Sequence, residues 1–318
     1  MLFGTLENHT DGRSRGFRNF DKYLDPFKAG DFSENLQLFN KYVNRVNRSC
    51  FDNGGQSIKQ GNLPEGLLTL VLGSKFTNGG RPIKGDLSKS LKFLVLGNKF
   101  DNGNSPITHG DLPDNLKYLS FGSFFSSSIA KGLPDNLKYL SFGSLFNIRI
   151  RHGDLPNNLK YLSFGMTFNN GNSPITHGDL PDNLKYLCFR NSFNNGGQPI
   201  KGQLPNKLVF LSTGVNFSNG FQSINNGDFP DSLIYLSIGG DNYNSVMSGC
   251  TLGFTNGNKP LNKSDLPNNI EYLSIGDTFT NGGLPLDNDL LHKLKYLSLG
   301  DTVTNAGIKI NKSDLRSI

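Results

Sequence analysis

The sequence has no tryptophan, three methionines, three cysteines and five histidines among its 318 residues. Cys50, Cys188 and Cys250 are widely spaced and odd in number. That argues against a disulfide framework and fits a reducing compartment better. Apolar residues make up 35 %, below the roughly 45–50 % usual for soluble domains. Charged residues are also sparse, at 18 %. No apolar run approaches the roughly 18 residues that a membrane helix needs, so no membrane is expected as a partner. The first nine residues, Met1 to His9, have neither a basic n-region nor a long apolar h-region, so they do not read as a secretory signal. The expected compartment is the cytoplasm or nucleocytoplasm.

What fills the gap is 38 glycines and 40 asparagines, with 25 phenylalanines. A chain this poor in aliphatic residues must place them economically or stay unfolded. The net charge of +6 is unevenly spread: +2 over residues 1–62, +7 over 63–214 and −3 over 215–318. The middle permits an anionic partner, but the composition is far from that of a nucleic-acid-binding protein.

Periodic placement is the solution. Leu63, Leu87, Leu112, Leu133, Leu155, Leu180, Leu204, Phe229, Leu266, Leu290 and Leu315 open successive copies of one unit. The steps are 24, 25, 21, 22, 25, 24, 25, 37, 24 and 25 residues. The fullest copies read Asp-Leu-Pro-Asp-Asn-Leu-Lys-Tyr-Leu-Ser-Phe-Gly, as from Asp111 to Gly122. A Phe, a polar Asn-Gly stretch and Pro-Ile follow. Ten tandem copies occupy 63–314, and degenerate repeats are expected over 20–62. Residues 1–19 form a poorly defined N-terminal segment. An insertion near 242–254 explains the 37-residue step, and 315–318 begin a truncated repeat.

In Leu116 to Gly122, Leu119 and Phe121 alternate with Tyr118 and Ser120, which is strand periodicity. One short parallel strand per 21–25-residue turn gives a repeat solenoid. The return arm, rich in Pro, Gly and Asn, is expected to be turns and extended backbone with little or no helix. Leu112, Leu116, Leu119, Phe121, Phe125 and Ile129 are the inward set of one turn. Phe76, Phe100, Phe125, Phe146, Phe168, Phe193, Phe217 and Phe279 form a stacked core spine. The Gly after each strand, such as Gly97, Gly122 and Gly143, is expected to permit a turn that a side chain would hinder. Arg190 breaks that series.

The core Leu-x-x-Leu-x-φ (φ, an apolar residue) is that of a leucine-rich repeat. The whole unit, Leu-Pro-x-x-Leu-x-x-Leu-x-φ-Gly-x-x-Phe-Asn…Pro-Ile, resembles the FNIP repeat family, abundant in social amoebae and in giant DNA viruses of amoebae. The naming motif appears stretched, from Phe193-Asn194-Asn195 to Pro199-Ile200. The resemblance implies a leucine-rich-repeat-like fold and, for a viral member, the host cytoplasm. Many family members carry an N-terminal F-box and act as substrate receptors of ubiquitin ligases. Residues 1–62 show no Leu-Pro-x-Glu opening followed by two apolar helices.

Signatures of catalysis are absent: there is no Gly-x-Gly-x-x-Gly, His-Glu-x-x-His, Cys-x-x-Cys or Gly-x-Ser-x-Gly. Asp111, Asp154, Asp179, Asp228 and Asp265 recur with the repeat and read as turn or cap residues. His109, His152 and His177 share one slot and read as exposed turn residues, because two adjacent ligands are too few for zinc. No enzyme activity, cofactor or metal is expected.

The outward face of the sheet is the candidate surface. Its aromatic column holds Phe93, Tyr118, Tyr139, Tyr161, Tyr186, Phe210, Tyr235, Tyr272 and Tyr296. A column of small residues, mostly Ser, runs next to it. Lys92, Lys117, Lys138, Lys160 and Lys185 line up alongside, with Lys295 further on. Together these would make a groove with aromatic walls, suited to a protein partner of unknown identity. Stacked rings also support a sheet by packing alone. The alternatives are a ubiquitin-ligase adaptor, an anionic polymer (nucleic acid or glycan) held by the lysines, and a structural solenoid that self-associates end to end.

Overall fold

Each Leu-x-x-Leu unit contributes one short strand, and the strands stack in chain order. They are β1 (Thr69–Val71), β2 (Phe93–Val95), β3 (Tyr118–Ser120), β4 (Tyr139–Ser141) and β5 (Tyr161–Ser163). The series continues through β6 (Tyr186–Cys188), β7 (Phe210–Ser212), β8 (Tyr235–Ile238), β9 (Tyr272–Ile275) and β10 (Tyr296–Leu299). All ten are parallel in one sheet of sequential order. The register is uniform: Tyr118 faces Tyr139, Leu119 faces Leu140 and Ser120 faces Ser141. This computed structural model describes residues 52–129, 131–239 and 253–299, with the backbone of β11 (Thr304–Asn305) and β12 (Ile308–Lys309), an antiparallel pair. The expectations for 1–19, for 20–51, for 242–252 within the insertion and for 315–318 lie outside the described residues.

The inward set behaves as the periodicity predicts. Leu112, Leu116, Leu119, Phe121, Phe125 and Ile129 are all buried in one continuous core. The phenylalanine spine stacks at 6.0–6.4 Å between rings of successive coils. A second phenylalanine per coil interleaves with it in the middle, as Phe142 does 3.9 Å from Phe146. Phe254, expected at the end of the insertion, is buried and stacks 6.0 Å from Phe279. It therefore belongs to the spine.

The glycine after the strand fits the turning role at Gly239, where φ is 77°, but has a different role in most coils. At Gly122, Gly143 and Gly165, φ is not in the left-handed region, but a Cβ would lie 1.9–2.1 Å from the carbonyl oxygen of the equivalent residue one coil earlier. Close approach of coil to coil, not turning, demands glycine here.

The left-handed turns lie in the return arm. Asn102, Gly103 and Asn104 have φ of 57°, 59° and 56°. Equivalent triplets start at Asn53, Asn78, Asn170, Asn195, Asn219, Asn256 and Asn281. Glycine and asparagine are the residues that visit this region readily, which accounts for much of their abundance. The leading asparagine is also buried in seven of these triplets. Asn195 Oδ1 accepts from Ile175 N of the preceding coil at 2.8 Å, while its Nδ2 donates to the Gln198 and Pro199 carbonyls at 3.1 and 3.0 Å. Asn102 does the same for Ile83, Ser105 and Pro106. An asparagine ladder thus runs through the interior, satisfying backbone groups that a loop would otherwise leave unpaired.

One short helix departs from the all-turn expectation. α1 (Asn288–Lys293) occupies the slot where most other coils have Leu-Pro. Here Leu291 replaces the proline and donates to Asp287 O four residues back, while Asp287 caps the helix by accepting from Asp289 N at 2.9 Å. A proline has no N–H to make that bond.

Candidate functional site: the strand face and its lysine edge

On the strand face, period-2 alternation puts the aromatic and small columns on the side opposite the core leucines. The rings form a continuous stack: Phe93 to Tyr118 at 4.7 Å, Tyr118 to Tyr139 at 6.0 Å, Tyr139 to Tyr161 at 6.2 Å and Tyr161 to Tyr186 at 6.3 Å. The stack goes on through Phe210, Tyr235 and Tyr272. The structure places the expected column from Phe93 to Tyr272 in this line, and strand register sets Tyr296 opposite Tyr272.

The groove with aromatic walls needs correcting in the middle coils. Tyr118, Tyr139, Tyr161, Tyr186 and Phe210 are only 4–9 % exposed. Stacking on both sides accounts for part of this, and the phenols register the loss of water. Burial pushes Tyr118 and Tyr161 well above the ordinary phenol range, against a smaller downward pull from hydrogen bonds with Ser120 and Ser163. Burial raises Tyr186 too. Phe93, Tyr235, Tyr272 and Tyr296, towards the two ends, are half-buried. The positive charge of Arg190, which stands in the post-strand glycine slot, acts on the Tyr161 phenol.

In the middle coils the lysine column is the most exposed part of this face. Lys92, Lys117, Lys160 and Lys185 are exposed and Lys138 is half-buried. Each stands directly before its strand, where its carbonyl takes two hydrogen bonds from the next coil. Lys117 O accepts from Lys138 N at 2.9 Å and from Tyr139 N at 3.1 Å. The ladder fixes the lysines at the strand spacing of about 4.8 Å. Among the described residues no ion pair joins any of these five. At the far end, Lys295 is paired with Glu271 at 2.8 Å, and that hydrogen bond raises the Lys295 pKa. Val209 and Ile234 separate the two stretches.

The repeated acids serve turns. Asp111, Asp154, Asp179, Asp228 and Asp265 each accept from the N–H three residues earlier, at 2.7–2.8 Å. His109, His152 and His177 are exposed. Among the described residues no cluster of His, Cys, Asp or Glu could hold a metal ion. No described helix is long and apolar enough to cross a membrane.

The FNIP Repeat family model matches residues 81–124, 103–145, 125–167 and 172–218. Residues 81–167 and 172–218 are thus FNIP repeats. Their geometry gives the motif a physical meaning. In the stretched copy from Phe193 to Ile200, Phe193 is a spine ring and Asn195 the buried turn asparagine. Pro199 supplies a carbonyl to Asn195, and Ile200 N donates to Asn219 of the next FNIP coil at 3.2 Å. Among solved structures, the chain is similar to one described as the crystal structure of CroV588, a novel circular LRR protein structure. Identity is 30 % and the TM-score 0.49, over 77 % of this chain and 41 % of that one. The chain thus spans less than half of that protein's length. No curated protein matches the chain.

The asparagine ladder escaped sequence reasoning, because asparagine beside glycine reads as a solvated turn. The available signal was its fixed place two residues after the spine phenylalanine, in Phe100-Asp101-Asn102 as in Phe193-Asn194-Asn195.

Proposed function

We propose that this chain is a non-enzymatic protein-interaction module that takes an acidic stretch of its partner along the lysine edge of the sheet. The observation that carries the reading is the row of five lysines on successive coils from Lys92 to Lys185, which form no ion pair among the described residues. Extended repeat surfaces suit partners of this shape, and uncompensated like charges at fixed spacing attract an anionic chain. The buried middle of the aromatic column supports the sheet, and its half-buried ends flank the contact. A linear nucleic acid or glycan is the competing occupant of the same lysines.

The test titrates the full chain with a fluorescent oligo-glutamate peptide and, separately, with a single-stranded oligonucleotide of equal charge. The expected result is binding of the peptide, weakened at least tenfold when Lys117, Lys138 and Lys160 are changed to Gln, and weakened by salt. Equal binding by the triple variant would remove the lysine edge as the site. Tighter binding of the oligonucleotide than of the peptide would favour the polymer reading.

A further inference from the structure

At the opposite end of the strands lies a surface that the repeat itself does not explain. Two residues after each post-strand glycine slot, most coils carry a polar side chain: Lys75, Lys99, Thr167, Ser192, Asn216 and Thr278. The coils of β3 and β4 carry Phe124 and Leu145 in that slot instead, and the coil of β5 carries Met166 one residue earlier. These three side chains are 52, 46 and 47 % exposed. A regular backbone ladder holds them in line: Phe124 N donates to Asn98 O, Leu145 N to Ser123 O and Ser192 N to Met166 O, each at 2.9 Å. Lys99, Phe124 and Leu145 therefore stand one above another at the coil spacing, with Lys75 one coil before and Met166 diagonally after.

Duplication does not account for this ridge, because the duplicated unit is polar here. Nor does packing: the next residues, Phe125 and Phe146, already fill the core and are fully buried. An exposed apolar patch of a few hundred square ångströms is a usual mark of an interaction site. The column adds direction. Lys75 and Lys99 are exposed, and among the described residues no ion pair engages either. The ridge is thus cationic at one end and apolar at the other.

We infer that the edge formed by Lys75, Lys99, Phe124, Leu145 and Met166 is a second docking surface, for an extended amphipathic segment of a partner protein. That segment sets carboxylates on the two lysines and apolar side chains on the ridge. The patch is too small for a globular interface and matches a short linear segment. It is separate from the lysine edge before the strands and is recognised by different chemistry.

The test uses the full chain and a fluorescein-labelled peptide of two glutamates followed by a leucine–phenylalanine–leucine segment, read by anisotropy. The triple variant Phe124→Ser, Leu145→Ser, Met166→Asn takes residues that other coils carry in the same slots, so its fold is kept. The expected result is at least tenfold weaker binding for this variant, and also for Lys75→Gln with Lys99→Gln. A peptide with its glutamates replaced by glutamine should bind the wild type as weakly as the intact peptide binds the lysine variant. Equal affinity of wild type and triple variant overturns the inference. So does concentration-dependent dimerisation of wild type that the triple variant lacks, because the occupant is then a second copy. Binding lost on changing Lys117, Lys138 and Lys160 but kept by the ridge variant overturns the ridge and leaves the strand-edge reading standing.

Discussion

The long coils and the two short ones solve the same closure problem by different means. In a 24- or 25-residue step, such as those opened by Leu87 or Leu180, the return arm makes a left-handed turn led by a buried asparagine. In the 21- and 22-residue steps opened by Leu112 and Leu133 that turn is missing among the described residues. Backbone meets backbone instead: Ile107 N donates to Ser128 O at 2.8 Å, where Ile83 N uses the Asn102 side chain. The parts that both kinds share are the spine phenylalanine and, except in the coil with Arg190, the glycine after the strand. Stacking therefore fixes the strand side of each coil, while the return arm has freedom in length so long as its N–H groups find acceptors. Two of the three exposed ridge residues, Phe124 and Leu145, belong to the short coils.

The largest effect should fall on what the two kinds share. In Gly143→Ala, on a short coil, the new Cβ meets the Gly122 carbonyl at 2.1 Å; in Gly165→Ala, on a long one, it meets Gly143 O at 1.9 Å. Both obstacles are backbone, so a whole coil must move. Overpacking commonly costs about 1–3 kcal/mol; each of these should cost about 4 kcal/mol or more in urea unfolding. A marked difference between the two variants would show that short coils are the looser stacks.

The next effect separates the kinds. Asn195→Ala leaves Ile175 N and the Gln198 and Pro199 carbonyls without their partner, at about 1–3 kcal/mol for a buried unmade bond. It also puts alanine at a φ of 49°, for a further loss of about 1 kcal/mol. The sum expected is about 3 kcal/mol, and Asn195→Gly should recover the conformational share alone. On a short coil, Ser127 Oγ reaches the Asp101 carbonyl at 3.5 Å, so Ser127→Ala should change stability by less than about 0.5 kcal/mol. A cost below about 1 kcal/mol for Asn195→Ala would mean that water substitutes for the ladder.

These contrasts also mark what could be read in the residues. The inward set around Leu119 was legible because burial in a strand has a period of two, and the Phe100 spine because an aromatic at repeat spacing has nowhere better to stack. Period two assigns Tyr161 to a face but says nothing of what covers it, so its burial was not legible. The place of Asn195 in a polar Asn-Gly turn does not reveal its burial, because asparagine is usually exposed, although a side chain with both a donor and an acceptor is suited to bridging backbone groups indoors. Gly143 was correctly marked as special and given the wrong reason, since crowding by the next coil is invisible within a single repeat. The lysine column was located by sequence, but only the structure distinguishes paired Lys295 from the other five.

The smallest effect expected within the long coils sharpens the account of them. The third residue of the left-handed turn is Gly or Asn in every described triplet but one: Phe221 holds a φ of 57°. A bulky side chain in this region costs about 1 kcal/mol, and a ring 57 % exposed regains little of it by packing. Phe221→Asn keeps the turn, supplies a residue that adopts this conformation in Asn104 and Asn258, and should raise stability by about 0.5–1 kcal/mol with a matching rise in Tm. Loss of stability would show that the covered part of the ring holds the turn against its neighbours. The left-handed turn would then tolerate a strained residue wherever packing compensates, and the preference for Asn and Gly would rest on the buried first position rather than on the third.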